Sequence, residues 1–106
     1  MMKKIYNKLV RDKIPEIIKA SGNTCSMEVL PDAEYLKMLD TKLDEELAEY
    51  HKDQNIEELA DLIEVIYAAA KARGFTIEEL ENVRAKKAAE RGSFEKKILL
   101  KEVIEK

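Results

Sequence analysis

Two short acidic pairs carry the most chemistry in this sequence: Glu46-Leu47-Ala48-Glu49 and Glu58-Leu59-Ala60-Asp61. Residues three apart on a helix share a side, about one turn apart, so each pair sets two oxygen donors on one face. At about 100° per residue, Glu46 falls on the shoulder of a Leu36/Leu43/Leu47 stripe, with Glu49 further round. Glu58 and Asp61 stand in line with Val65, Ala68 and Ala72. Acids that continue an apolar strip are not where surface charge usually goes. Glu57 and Glu64 line up with Lys71 instead and read as ordinary solvent-facing residues. Four carboxylates held close together repel one another and raise each other's pKa, and a divalent cation removes that penalty. An oxygen-only donor set favours Mg²⁺ or Mn²⁺ over zinc, which would want His or Cys. Only His51 and Cys25 could supply those. The competing reading is a solvated acidic helix face.

The elements that must position these acids follow from stripes and caps. Leu36, Leu39, Leu43, Leu47 and Tyr50 recur at spacings of three and four, which predicts a helix over 33–52 with Asp32 as its N-cap. Lys52–Asn55 makes the turn. Asn55, with Glu58 three residues on, opens a helix over 56–73 that stops at Gly74. The short turn makes the two helices antiparallel neighbours and puts both acidic pairs at one end of the hairpin. Thr76-Ile77-Glu78-Glu79 is a capping-box pattern opening a helix over 77–91, ended by Gly92. Pro15 and Gly22 bracket a short helix over 13–20. Residues 4–10 and 24–30 read as extended. The tail from Ser93 is open to two readings, extended at 98–100 or helical over 101–106. The 56–73 helix is apolar almost all round: Leu59, Leu62, Ile63, Ile66, Ala69 and Ala70 form one face, and Val65, Tyr67 and Ala68 widen it. Such a helix wants burial on several sides. The expected fold is therefore all-α, one domain over 1–106, with an antiparallel hairpin core extended to a small bundle and completed by homo-oligomerisation, most simply a two-fold dimer.

Composition narrows the function classes. Residues 32–64 hold twelve acidic and three basic side chains, a balance of −9 in a chain whose net charge is −3. Acid sits in the middle and base at both ends. The centre would repel a nucleic acid polymer and attract a cation. No apolar run approaches the ~20 residues of a membrane span, and the N-terminus lacks the apolar core of a signal peptide. A single cysteine allows no internal disulfide, so a reducing cytoplasm is the natural compartment. Cys25 itself reads as a small buried apolar group. His51 has no nucleophile arranged around it and is set aside as a catalyst. No Gly-rich phosphate loop is present.

The stretch Lys42–Glu49 followed by Glu58-Leu59-Ala60-Asp61-Leu62 resembles the all-α nucleoside triphosphate pyrophosphohydrolases. That superfamily contains MazG, dimeric dUTPases and phosphoribosyl-ATP pyrophosphohydrolase. Asn7–Pro15, Lys86-Lys87 and Arg91–Lys96 are similar to a small single-domain branch of it, phosphoribosyl-ATP pyrophosphohydrolase-like. The resemblance implies a helical hairpin core, dimers or tetramers, Mg²⁺ dependence and cleavage between the α- and β-phosphates. It also implies Glu46, Glu49, Glu58 and Asp61 as metal ligands. Eight residues separate Glu49 from Glu58, fewer than in many MazG-type members, so a larger substrate-covering insertion is not expected.

Lys8, Arg11, Lys13, Lys87 and Arg91 are the candidate phosphate partners, with Arg11 and Arg91 favoured because each sits in a recognisable motif. Surface solubilisation is the alternative for any one of them. The expected reaction is Mg²⁺-assisted hydrolysis of a nucleotide to its monophosphate and pyrophosphate. Glu46 or Glu49 would accept the water's proton, and the sequence does not choose between them. Two other functions fit the same residues: the phosphoribosyl-ATP pyrophosphohydrolase of histidine biosynthesis, and a non-catalytic helical dimer whose acidic face binds a basic partner.

Overall fold

A computed structural model describes residues 2–106. It holds four helices, α1 (Ile14–Ala20), α2 (Asp32–Asp53), α3 (Ile56–Ala72) and α4 (Ile77–Arg91), and no strand among the described residues. The protein is all-α. The predicted helix boundaries hold to within one residue, because the chain marks them chemically. Asn55 Oδ1 accepts from the Glu58 N–H at 2.9 Å and opens α3. Thr76 and Glu79 form the reciprocal capping box of α4. Pro15 sits in the first turn of α1, where its missing N–H costs nothing.

One cap is not as expected. Asp32 is the first residue of α2 and not its N-cap; extended Pro31 holds that position with no side-chain cap bond. An acid inside the first turn still complements the exposed N–H groups there. At the other end, Gln54 closes α2 in the left-handed region at φ 50°, donating its N–H to Tyr50 O at 2.7 Å. This sharp reversal, with Asn55 as the only other linking residue, folds α3 back along α2.

The α2–α3 hairpin is the heart of the structure. Leu39 and Val65, one from each helix, are the two buried residues among those described. α4 packs against α3 alone, and α1 packs on no other helix. The expected bundle is therefore a hairpin with one helix appended. The radius of gyration is 18.7 Å, with extents of 68 × 31 × 23 Å. A compact chain of this length would have a radius near ~13 Å. Among the described residues, no helix is long and apolar enough to cross a membrane. Cys25 is exposed and not buried, as are its neighbours from Ser21 to Val29. Residues 101–106 form no helix.

Candidate metal centre

The two helices meet along a seam. On α2 it runs through Leu39, Lys42, Glu46, Glu49 and Asp53; on α3 it runs through Glu58, Asp61, Val65, Ala68 and Ala72. Both lines alternate spacings of three and four, the rhythm that keeps one face toward a neighbouring helix. The seam is apolar away from the turn and acidic beside it. Leu47 lies off it, 42% exposed, whereas the Glu46 side chain is only 13% exposed. Of the stripe read from sequence, Leu39 is buried in the seam, Leu36, Leu43 and Tyr50 are half-buried, and Leu47 is exposed. On α3, the strip carrying Glu58 and Asp61 faces α2, and Leu59, Ile63 and Ile66 are left uncovered.

This geometry brings the predicted acids together. Glu46, Glu58 and Asp61 each offer a carboxylate oxygen within 4.8 Å of the others, and all three are half-buried. Glu49 joins a second group with Asp53 and Glu58 under the same limit, on the more exposed side. Glu58 is common to both. Asp53 was missed from sequence because it lies at the helix end, where side-chain direction depends on how the turn closes. The donors are all carboxylate oxygens drawn from two helices, which suits a hard divalent cation such as Mg²⁺ or Mn²⁺.

Basic groups reach the same place. Arg11 Nη2 donates to Asp61 Oδ1 at 2.6 Å, across fifty residues of sequence. Lys8 Nζ donates to Glu45 Oε1 at 3.0 Å. These two contacts hold the N-terminal lead-in over the acidic end of the hairpin. Lys42 Nζ lies within the seam, 3.3 Å from Glu46 Oε1 and 3.4 Å from Glu45 Oε1. Lys42 and Glu45 were not singled out from sequence; their i,i+3 and i,i+4 spacing was the available signal.

Lys13 sits at the cap of α1 and is exposed, with no ion pair among the described residues. Lys87 and Arg91 line a different pocket, with Arg84, Ala88, Gly92, Ser93 and Phe94, to which none of the four acids contributes. Within one chain, then, Arg11 and Lys8 reach the cluster residues or their immediate neighbour, and Lys13, Lys87 and Arg91 do not. His51 is exposed and tilts against Tyr50, with ring centroids 6.1 Å apart.

The electrostatics follow from these neighbours. Glu58 has its pKa raised, first by partial desolvation and then by the charges of Asp61, Asp53, Glu49 and Glu46. Glu45 is held below its ordinary value, chiefly by the hydrogen bond from Lys8, with Lys42 adding to it against desolvation. Lys8 is raised in turn by the Glu45 hydrogen bond and charge. The acids at the turn end thus carry more negative charge than Lys42 and Arg11 balance.

No protein-family model matches the chain, and no solved structure matches it. Over 41 residues the chain is 61% identical to an uncharacterized protein of Mycolicibacterium smegmatis (strain ATCC 700084 / mc(2)155). The match covers 39% of this chain and 42% of that protein, so the chain spans less than half the length of the relative it matches.

Proposed function

We propose that this chain hydrolyses a nucleoside triphosphate, or a related nucleotide, to the monophosphate and pyrophosphate. Glu46, Glu58 and Asp61 would hold Mg²⁺, with Glu49 completing the set and Asp53 beside it. The observation that carries the reading is the convergence of three carboxylates from two helices on one point, with a guanidinium delivered to the same point from the N-terminal lead-in. A cation-binding group and an anion-binding group side by side are what a metal-bound polyphosphate needs. Bound there, Mg²⁺ would neutralise charge on the phosphates and stabilise the charge that develops as the bond breaks.

The chain's own residues do the rest. Arg11 exchanges Asp61 for a phosphate oxygen once the acids have a cation to balance them. Lys8 keeps the lead-in docked through Glu45, so Arg11 stays within reach. Glu46 or Glu49 takes the proton of the attacking water. Lys87 and Arg91 would act on a bound nucleotide only from a second copy, and the reading includes assembly with one. Phosphoribosyl-ATP remains a candidate substrate alongside canonical and damaged nucleotides.

The test is Mg²⁺-dependent release of pyrophosphate from a panel of such nucleotides. Asp61→Asn should abolish it and should remove the rise in melting temperature that Mg²⁺ produces by mass action on the folded state. Glu57→Gln and Glu64→Gln, on the exposed side of α3, should change neither. Full pyrophosphate release by Asp61→Asn would overturn the site. A Mg²⁺-dependent stability shift with no release from any nucleotide would favour the helical adaptor.

A further inference from the structure

Two surfaces of this chain have no partner within it. One is the strip of α3 on the far side from the seam, where Leu59, Ile63 and Ile66 are uncovered and Ile56 continues the line toward the turn. The other is the arm that follows α4. Its Phe94, Ile98, Leu99, Leu100, Val103 and Ile104 are each at least 70% exposed. The arm had the means to fold back. A turn at Phe94–Lys97, with the Lys97 N–H on Phe94 O and Lys97 at φ 59°, already redirects the chain. Beyond it, residues 98–106 run without helix or strand, and no hydrogen bond among the described residues joins them to anything. An extended apolar segment with free backbone groups is built to be added to another surface.

The areas set the scale of what is missing. The chain exposes 10192 Å². A folded monomer of its 12.2 kDa mass exposes about 6,100 Å². The excess is about 4,100 Å² per chain, several times the ~800 Å² per partner of a standard interface. A surplus of that size is room enough for a standard interface with a second copy. Charge points the same way. Residues 86–106 carry seven basic and four acidic side chains, against the −9 of residues 32–64. The end of one copy is therefore electrostatically matched to the hairpin of another.

We propose that the C-terminal arm is exchanged: the arm of each copy, from Phe94 to Ile104, packs on the α2–α3 hairpin of a second copy, covering the strip at Leu59, Ile63 and Ile66. Reciprocal exchange between two copies closes the assembly as a two-fold dimer, each arm seated on the other copy's strip. This inference rests on the reading that the chain assembles with itself, and not on the identity of any substrate.

The experiment has two arms. Sedimentation of the full chain at micromolar concentration should give a dimer, and Ile98→Lys with Leu100→Lys in the full chain should weaken that dimer at least tenfold. A benzophenone amino acid in place of Leu99 should, on irradiation of mixed tagged and untagged chains, join one to the other within residues 32–72. A full chain that is monomeric removes the assembly reading altogether. A dimer that the double substitution leaves unweakened, or whose Leu99 position cross-links only within its own chain, overturns the exchanged arm and leaves assembly standing.

Discussion

Glu58 supplies an oxygen to both groups of three carboxylates, and it is the acid whose pKa those surroundings raise. The folded protein therefore holds the Glu58 proton more tightly than the unfolded chain does. By linkage, that contribution is favourable below the unfolded pKa and is lost as pH rises through the folded one. Thermal unfolding of metal-free protein across the carboxylate range should reveal it as a decline with pH that Glu58→Gln flattens. Mg²⁺ competes with the same proton, so the stabilisation it gives should grow as pH rises through that window. Glu45 has the opposite sign: its lowered pKa gives stability above the unfolded value, lost as pH falls through the folded one. Lys8 is exposed and Glu45 half-buried, so added salt should shrink that contribution. Arg11 gives a kinetic counterpart. Replacing it with Ala removes one charge-assisted contact, about 1.5–3 kcal/mol, and should lower kcat/KM by roughly 10- to 100-fold. Because Asp61 then loses its guanidinium partner, Mg²⁺ affinity in the same variant should hold or rise; a parallel fall in both would mean Arg11 only props up the fold. At this scale the spacing of Glu46, Glu49, Glu58 and Asp61 was readable in advance. The Arg11–Asp61 contact was not, since no local pattern relates residues fifty apart; only the motif around Arg11 drew attention to it.

At the scale of elements, the caps were the most legible feature. Asn55 and Thr76 each combine a side-chain acceptor with a Glu three residues later, and each opens a helix. Their removal should nevertheless have different consequences. Thr76→Ala should cost about 1 kcal/mol of stability and leave Mg²⁺ binding alone. Asn55→Ala should cost a similar amount and also weaken the Mg²⁺-dependent shift, because its bond to the Glu58 N–H sets the first turn that carries Glu58 and Asp61. Equilibrium denaturation with and without Mg²⁺ separates the two; an equal shift in both variants would show that the cap does not position the acids. Less legible was which face of α2 meets α3. Leu36/Leu43/Leu47 and Leu39/Lys42/Glu46 are adjacent strips, and hydrophobicity favours the first. The second wins because it places Leu39 against α3, and that choice turns Glu46 into the seam and Leu47 out of it. A preference between neighbouring strips is a tertiary outcome, and helical periodicity alone does not contain it. Asp32 slipped from cap to first turn for a related reason: extended Pro31 already fixes the entry to α2.

For the whole molecule, the apolar girth of α3 led to the expectation of a second copy, and Leu59, Ile63 and Ile66 are exposed in the single chain, where the proposed copy would cover them. The arm did not announce itself, because a short apolar stretch such as Ile98-Leu99-Leu100 reads equally as a buried strand, a helix end or an arm. With two buried residues and a radius of 18.7 Å, an isolated chain has little to hold it together. Its melting temperature should therefore climb with protein concentration, as it does when folding and association are one equilibrium.

The exposed arm has a further consequence, for turnover. Proteases cleave extended, unpaired backbone most readily at chain ends and loop tips. A solitary chain offers such a substrate from Phe94 onward, whereas the proposed exchange would cover it. Dilution should therefore speed cleavage there, and each cut should strip the chain of its means of pairing again. Digestion at nanomolar and at high micromolar protein, followed by mass spectrometry, should show the cut after α4 appearing fast in the first and slowly in the second. Equal rates at both concentrations would mean the arm is as open in company as alone. A surplus copy that finds no counterpart would be marked for removal by its own loose end.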